Sequence, residues 1–330
     1  MTFALTKERC KTINKAKEIR PSRPGRLIRR AQFIRRVLED VSITHQSVTA
    51  IPRLMNKEYS SLATQMKCQY SIVSRGTERR RSCSQQGSDG RFGYINIAQS
   101  AEQFWIRPLP HGVPGPNEGA LRCRSLSLAT VALARIQLIA ASAFLSRRKD
   151  LQHDTPALIV GSGAVALGAA LELRRLGCPD VVISTNSYEA AISAPTDTGI
   201  SITQELTDEQ MFGMVIDAVC NSQSVRLALK HCERNGTIGL LGSPYAPIPV
   251  DLYQVHRRNL NVLGLHELNS SDSQRQSLLE EIHHWITLNH VALAESLCEI
   301  HSAKAFHVAY PTLLEQSRPF LIHGFDWGTS

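Results

Sequence analysis

The sequence predicts an α/β fold built on a doubly wound parallel sheet, and three observations support this. Residues 156–185 have the pattern of a strand, a glycine turn, a helix and a second strand. Further strand and helix patterns alternate between residues 199 and 288. Hydrophobic residues make up 42% of the 330 residues, which is enough to bury a sizeable core. Alternation of this kind indicates a parallel sheet covered by helices on both faces.

The central unit contains a glycine pattern that predicts cofactor binding. An apolar run at 157–160 predicts a buried strand, and 164–176 predicts a helix that ends at Gly177. Between them the spacing follows the G-x-G-x-x-G/A pattern of dinucleotide-binding turns. The first glycine allows a tight turn, the second lets a pyrophosphate approach, and the helix N-terminus binds phosphate. The candidate residues are Gly161, Ser162, Gly163, Ala164, Val165 and Ala166. The alternative is a degenerate domain that has kept the fold and lost the ligand.

The residues after the second strand bear on which dinucleotide binds. An Asp or Glu is expected there when the adenosine ribose has a free 2′-hydroxyl. This chain has Ser184, Thr185 and Asn186 instead. Without a carboxylate a 2′-phosphate is not repelled, and hydroxyl groups can donate to it. The prediction is therefore NADP(H), with NAD(H) as the alternative.

The remaining elements follow from hydrophobic periodicity. Strands are predicted at 199–203, 214–219, 236–242 and 261–265, and helices at 125–146, 223–232 and 271–288. The segment 126–145 is the most apolar of the chain, but Arg135 and Gln137 lie in its middle. A buried core helix is therefore expected there in place of a membrane span.

Charge and cysteine content limit the classes of partner and compartment. Residues 1–40 hold twelve Lys or Arg and four Asp or Glu, so the whole formal charge of +8 belongs to this arm. No aromatic platform or nucleic-acid motif accompanies it, and a solvated extension is favoured over binding to nucleic acid or anionic lipid. The eight cysteines form no C-x-x-C pair and the N-terminus has no apolar signal segment. These features favour a reducing cytoplasm.

Four stretches in order resemble the medium-chain dehydrogenase/reductase superfamily, which contains the zinc alcohol dehydrogenases and quinone reductases. They are YSIVSRGTE at 70–78, IRPLPHGVPGPNEGAL at 106–121, MVIDAVCNSQSVRLALKHCERNGTIGLLG at 214–242 and AFHVAYPTLLEQSRPFLIHGFDW at 305–327. The resemblance implies a Rossmann domain with a GroES-like β-barrel domain. The implied organisation is a basic arm at 1–40, a reduced GroES-like domain at 41–124, the Rossmann domain at 125–296 and a return to the GroES-like domain at 297–330.

The chain departs from that family in two ways. Only 29 residues separate Glu78 from Pro108, so the barrel is shortened and the family's "GHE" segment has no counterpart. Aligned with the "G-I-C-G-T-D" segment of zinc members, Arg75 stands where the zinc cysteine would be. A catalytic zinc needs three protein ligands. The sequence therefore predicts no zinc and no metal ligands; His283, His284 and His290 are expected to be ordinary surface or core-edge histidines.

The resemblance implies hydride transfer with NAD(P)(H), and it suggests where the site residues lie. Arg75 and Thr77 match cleft positions, Tyr94 is a further donor, and Gly242 and Ser243 would face the nicotinamide half. The expected function is a zinc-independent reductase or dehydrogenase acting on a C=O, C=C or C=N bond of a small-molecule or carrier-bound intermediate. The alternative is a non-catalytic nucleotide-binding or scaffold protein. A homodimer is expected through the unguarded strand at 261–265.

Overall fold

The computed structural model describes residues 65–76, 78, 95–109, 111–116, 119–151, 154–186, 198–244, 246–315 and 320–328. The basic arm, Thr77 and Tyr94 lie outside the described residues. In chain order the elements used below are β1 (Gln65–Met66), β2 (Tyr70–Ile72), β3 (Ile95–Ser100), β4 (Gln103–Arg107), β5 (Gly115–Pro116), β6 (Leu121–Arg124), α1 (Leu128–Leu145), β7 (Ala157–Val160), α2 (Ala164–Arg175), β8 (Val181–Ser184), β9 (Ile200–Thr203), β10 (Phe212–Asp217), α3 (Ser222–His231), β11 (Cys232–Leu240), α4 (Leu252–Arg258), β12 (Asn261–Gly264), α5 (Asp272–Asn289), α6 (Val291–Leu297), β13 (Cys298–Ser302), α7 (Phe306–Glu315) and β14 (Ile322–Asp326).

Strands β7 to β12 form a six-stranded parallel sheet in the order β12-β11-β10-β7-β8-β9. Counted along the chain this is the order 3-2-1-4-5-6 of the Rossmann fold. The predicted doubly wound sheet is therefore confirmed. Because the strand order reverses between β7 and β10, a crevice opens at their carboxyl ends, where such sheets bind ligands.

The parallel sheet is buried on both faces because successive strand residues enter different cores. Leu158 and Val215 pack into the core beneath α3, whereas Ile159 and Ile216 pack into the core beneath α1 and α2. A strand with both faces covered needs apolar residues at every position, which explains the continuous apolar runs in the sequence.

Helix α1 lies in the main core. Its length and mean hydropathy of 1.8 would allow it to cross a membrane, but 72% of it is buried inside the protein. The buried Gln137 donates to Glu172 of α2 at 3.0 Å, and Arg175 binds the same carboxylate. Arg135 pairs with Glu267 at 3.0 Å. The polar residues that argued against a membrane span therefore have partners within the fold.

A second sheet of six strands has the order β13-β14-β2-β3-β4-β6. The pair β13 and β14 is parallel and the other pairs are antiparallel. Strands β13 and β14 follow the Rossmann sheet in the chain, so the C-terminal segment returns to the sheet formed by residues 70–124. Helix α7 covers this return: Phe306 and Tyr310 pack against Phe325 of β14.

Candidate functional site

The glycine turn after β7 has the geometry that its sequence predicts. Gly161 has φ +127°, a conformation that L side chains rarely adopt. Its N–H donates to the carbonyl of Ser184 at 2.9 Å, which holds the turn against β8. A Cβ atom at this position would lie 2.8 Å from Cγ2 of Val219. Glycine is required here for both backbone and steric reasons.

Gly163 is the N-cap of α2 and leaves the helix N-terminus open. Its φ of −81° is ordinary extended backbone, and no side chain in the described residues caps the helix. A Cβ atom added at Gly163 would meet nothing within 4 Å. The first turn carries no acidic residue, so its N–H groups present positive partial charge to an open space. An anionic phosphate group fits this space.

Two further small residues set how α2 packs. Ala166 is buried against the core, as the third position of the glycine pattern requires. Gly168, which the sequence reasoning missed, lets α2 approach α1 closely. A Cβ atom there would lie 3.0 Å from the carbonyl oxygen of Ile136 and 3.1 Å from the backbone of Gln137. A glycine two residues after the pattern was the available signal.

The carboxyl end of β10 forms the other wall of the crevice. Asp217 is fully buried, and its carboxylate accepts bonds from the N–H groups of Val219 and Cys220 and from the hydroxyl of Ser224, at 2.8–2.9 Å. Burial raises the pKa of the Asp217 carboxyl group, and these hydrogen bonds oppose the shift. These hydrogen bonds hold the 218–220 loop, and Gly161 and Gly242 both pack against that loop.

Gly242 and Ser243 follow β11 at the same edge of the sheet. The Gly242 N–H donates to the carbonyl of Asp217 at 2.9 Å, and a Cβ atom would lie 2.7 Å from the backbone of Ala218 and Val219. The predicted residues Gly161 and Gly242 are thus joined through one loop, with Ser243 half-buried beside it.

At the end of β8 the three predicted adenosine contacts differ in exposure. Ser184 and Thr185 are buried, whereas Asn186 is exposed. The carbonyl of Ser184 accepts the N–H of Gly161, and the N–H of Thr185 donates to the carbonyl of Thr203 at 3.0 Å. Asn186 is therefore the most accessible polar side chain of the three.

On the side of the second sheet, Arg75 lies in a short helical turn after β2. It is half-buried, and its Nε donates to the carbonyl of Leu314 near the C-terminus of α7 at 3.3 Å. A cation at a helix C-terminus is favoured by the helix dipole. The structure therefore adds a second role for this side chain beside the predicted one in the cleft.

A buried hydrogen-bonded pair that the sequence reasoning missed holds the same turn. Glu78 and His111 are both buried, with Nε2 of His111 3.0 Å from Oε2 of Glu78. The other carboxylate oxygen accepts the N–H of Ser74 at 2.6 Å. His111 also packs edge-on against Tyr310, with ring centroids 5.4 Å apart. Glu78 stands within the quoted SRGTE motif, so its position was visible, but its partner was not.

The C-terminal return touches the glycine turn. The N–H of Phe320 donates to the carbonyl of Ser162 at 2.9 Å, and Phe320 is fully buried with φ +59°. The segment before β14 therefore lies beside the predicted phosphate site. Nothing in the sequence around Phe320 indicates this contact.

The position of the family's catalytic zinc does not fit a metal. Arg75 stands where a cysteine ligand would be, and its guanidinium group is directed to the Leu314 carbonyl. A permanently charged donor cannot ligate a cation.

Comparisons with known proteins agree with this architecture. Residues 164–284 match the family model of zinc-binding dehydrogenases. No curated protein sequence gives a significant match.

Several solved structures share the fold. Alcohol dehydrogenase TADH from Thermus sp. ATN1 is 14% identical with a TM-score of 0.61, covering 79% of this chain and 91% of its own. TarJ from S. aureus is 14% identical with a TM-score of 0.60 and coverages of 80% and 91%. Acetophenone reductase from Geotrichum candidum NBRC 4597, solved with NAD, is 15% identical with a TM-score of 0.58 and coverages of 79% and 89%. The resemblance inferred from the sequence is confirmed, and this chain has the fold of the medium-chain dehydrogenase/reductase superfamily.

Proposed function

We propose that this chain is a nicotinamide-dependent oxidoreductase. The observation that carries the proposal is the open N-terminus of α2 behind Gly161 and Gly163, at the crevice between β7 and β10. The backbone N–H groups of an uncapped helix N-terminus that face open space can bind a pyrophosphate. The match of residues 164–284, which begins at the first residue of α2, to zinc-binding dehydrogenases supports the same conclusion.

The cofactor would lie across the carboxyl ends of β8, β7, β10 and β11. The backbone of residues 161–166 would bind the pyrophosphate, and Ser184, Thr185 and Asn186 would lie near the adenosine ribose. Gly242 and Ser243 would line the nicotinamide half. When bound, the cofactor supplies or accepts the hydride; the chain's own residues bind it and shield it from water.

We propose a preference for NADP(H) because no carboxylate follows β8. The exposed Asn186 can donate a hydrogen bond to a 2′-phosphate, whereas an Asp at that place would repel it. Solved structures of similar fold include complexes with NAD or NADH and with NADP or NADPH, so the argument rests on this chain's own residues.

For the substrate we propose zinc-independent reduction of a C=O, C=C or C=N bond. Negative charge that develops on the reduced substrate needs a cation or donor nearby. Arg75 is the proposed donor, because an arginine is always charged and offers several N–H groups. Thr77 and Tyr94 remain further candidates from the sequence. The Glu78–His111 pair is too buried to meet substrate, and its proposed role is to position the Arg75 turn.

One observation favours a second candidate function, a nucleotide-binding protein without catalysis. Only 29 residues, 79–107, separate Glu78 from Pro108, where the resembled family has a longer barrel segment beside its cleft. A cavity of about 400 Å³, lined by Leu145, Arg148, Arg175 and residues of α5, lies at the C-terminal end of α2, the end opposite the glycine turn.

A titration followed by a turnover assay separates the two functions. NADPH and NADH are titrated into the full chain by calorimetry, and NADPH oxidation is then followed with a panel of enones, imines and ketones. Binding with turnover is expected for the oxidoreductase. Binding without turnover across the panel supports the scaffold, and absence of binding to either dinucleotide refutes both.

We further propose that two copies associate through β12. This strand is at one edge of the parallel sheet, bonded to β11 alone among the described strands, and three of its four residues are exposed. Unprotected edges of this kind pair readily with a second copy. Light scattering at tens of micromolar should report a dimer; a monomer at that concentration would contradict the proposal.

The cysteines support a reducing compartment such as the cytoplasm. The six described cysteines are all free, and five of them are buried. Burial raises the pKa of Cys68, Cys123, Cys220 and Cys232 to about 12, so these thiols stay protonated and unreactive at neutral pH.

A further inference from the structure

Three potential metal ligands meet on the two strands of the C-terminal return. Glu299 and His301 lie two residues apart on β13, so their side chains share one face of the sheet. Glu299 is the direct partner of His323 on the parallel strand β14. The register of this one strand pair therefore brings the three side chains together, far from the glycine turn and from Arg75 in the sequence.

The distances among their ligand atoms suit one small cation. Nε2 of His301 is 3.4 Å from Nδ1 of His323. The two nitrogens approach different oxygens of Glu299: Nε2 of His301 lies 3.8 Å from Oε1, and Nδ1 of His323 lies 3.5 Å from Oε2. One ligand atom from each side chain lies within 4.8 Å of the other two. Zinc binds nitrogen and oxygen at about 2.0–2.2 Å, so tetrahedral ligands lie about 3.3–3.6 Å apart. The nitrogen pair falls within this range, and a rotation of the Glu299 carboxylate would bring a single oxygen toward both nitrogens.

The surroundings give the cluster a rigid base and an open side. The His323 side chain is 10% exposed, His301 23% and Glu299 41%. The two imidazole rings are stacked with centroids 5.6 Å apart, and His301 also lies 5.7 Å from the fully buried Phe325. Among the described strands β13 is the edge of its sheet, so an ion can enter from solvent on the side of Glu299.

We propose that Glu299, His301 and His323 bind one zinc ion. Two imidazole nitrogens and one carboxylate oxygen are a donor set that zinc favours, and three protein ligands leave a fourth position for water or an exogenous ligand. The ion joins β13 to β14 and so fastens the C-terminal return. This site differs from the family position at Arg75, and it replaces the expectation from the sequence that the chain holds no metal. The proposal stands independently of the oxidoreductase function.

Without an ion the same residues can form a hydrogen-bonded group among themselves. Such a group needs no metal and would show no saturable zinc binding. The two explanations therefore predict different zinc stoichiometries and different responses of the protein to chelators.

The test uses the full, tag-free chain, dialysed against a chelator and then titrated with zinc chloride by calorimetry. One zinc per chain is expected, with a rise in unfolding temperature that the chelator reverses. His301→Gln and His323→Gln should each weaken zinc binding at least tenfold. Changing a residue that only supports a ligand typically costs about 10- to 100-fold in metal affinity, and losing the ligand itself should cost no less. His256→Gln is the matched control, since His256 is an exposed histidine on α4.

Two additional measurements keep the result decisive. Glu299→Gln changes the most exposed ligand and keeps its shape, so weakened zinc binding in this variant is expected even if a histidine variant fails to fold. Cobalt bound in place of zinc should give visible absorption bands that are lost in His301→Gln and kept in His256→Gln. Absence of saturable binding in the wild type, or equal loss in His256→Gln, would overturn the proposal.

Discussion

Gly163→Ala and Gly168→Ala should have opposite effects, although both add one methyl group to the same segment. Gly163 caps α2 beside the proposed pyrophosphate, and Gly168 faces α1 on the buried side of the helix. We expect the first change to weaken cofactor binding and leave stability intact. The second change should lower stability and leave cofactor binding intact.

The effect at Gly163 follows from open space and lost donors. A Cβ atom there meets nothing within 4 Å and the backbone is extended, so the folded chain accepts it without strain. The methyl group occupies the space through which a phosphate oxygen reaches the N–H groups of α2. One lost hydrogen bond to a charged group is worth about 1.5–3 kcal/mol, or roughly a 10- to 150-fold rise in the Kd for NADPH.

The effect at Gly168 follows from backbone contacts that cannot move aside. The added Cβ atom would lie 3.0–3.1 Å from backbone atoms of Ile136 and Gln137. Overpacking costs about 1–3 kcal/mol, of which the better helix propensity of alanine returns about 1 kcal/mol. The difference is about 0–2 kcal/mol. Because the neighbours are backbone atoms that cannot rotate away, we expect a net loss in the upper half of this range, about 1–2 kcal/mol, or roughly 2–8 °C in Tm.

The assay pairs NADPH titration by fluorescence with thermal unfolding of each apo variant. The reasoning is refuted if Gly163→Ala remains folded and binds NADPH as tightly as the wild type. An equal loss of affinity in both variants would show that affinity tracks stability instead of the phosphate space. A Gly168→Ala protein as stable as the wild type would show that α1 and α2 can separate without cost.

Three further predictions concern the two ends of the crevice and its wall. Asn186→Asp places a carboxylate at an exposed position, so calorimetry should show NADPH affinity falling at least tenfold relative to NADH; an unchanged ratio would remove Asn186 from the adenosine site. Arg75→Ala should lower turnover by about 10²–10³ with NADPH affinity within a few-fold of the wild type, and Arg75→Lys should recover part of it. Full activity in Arg75→Ala would remove Arg75 from the catalytic candidates. Asp217→Asn tests the raised pKa of the Asp217 carboxyl group. Because its pKa is higher in the folded than in the unfolded chain, the wild type loses stability as pH rises from about 4 through the folded-state pKa. The asparagine variant lacks this titration, so its Tm relative to the wild type should increase over the same pH window. A difference in Tm that stays constant with pH would show that Asp217 has no raised pKa.

The parallel-sheet unit and its glycine turn were predictable because their causes are local. Apolar runs at 157–160 and 181–184 match β7 and β8, and the helix predicted at 164–176 matches α2 to within one residue. The strand predicted at 236–242 begins earlier, at Cys232, and ends at Leu240. The register of β11 with β10 shifts after the first residue pair. The start of the strand depends on this pairing with β10, which the residues of β11 alone do not reveal.

The residues around the crevice were predictable only in part. The positions of Gly161, Gly163 and Gly242 followed from motif and resemblance, and the structure joins them through the 218–220 loop. The different exposures of Thr185 and Asn186 could not be read from two adjacent polar residues. They depend on how the chain leaves β8 toward β9, which the N–H of Thr185 decides by bonding to Thr203.

By itself the sequence determined the fold class, the order of elements and the glycine turn, because hydrophobic period and backbone freedom are properties of neighbouring residues. Only the tertiary structure decided which distant groups meet. Arg75 reaches Leu314 across 239 positions, Glu78 meets His111 across 33, and the pairing of β13 with β14 brings His301 to His323 across 22. Such contacts depend on strand register and helix packing, and a one-residue shift of β13 would turn Glu299 and His301 to the opposite face.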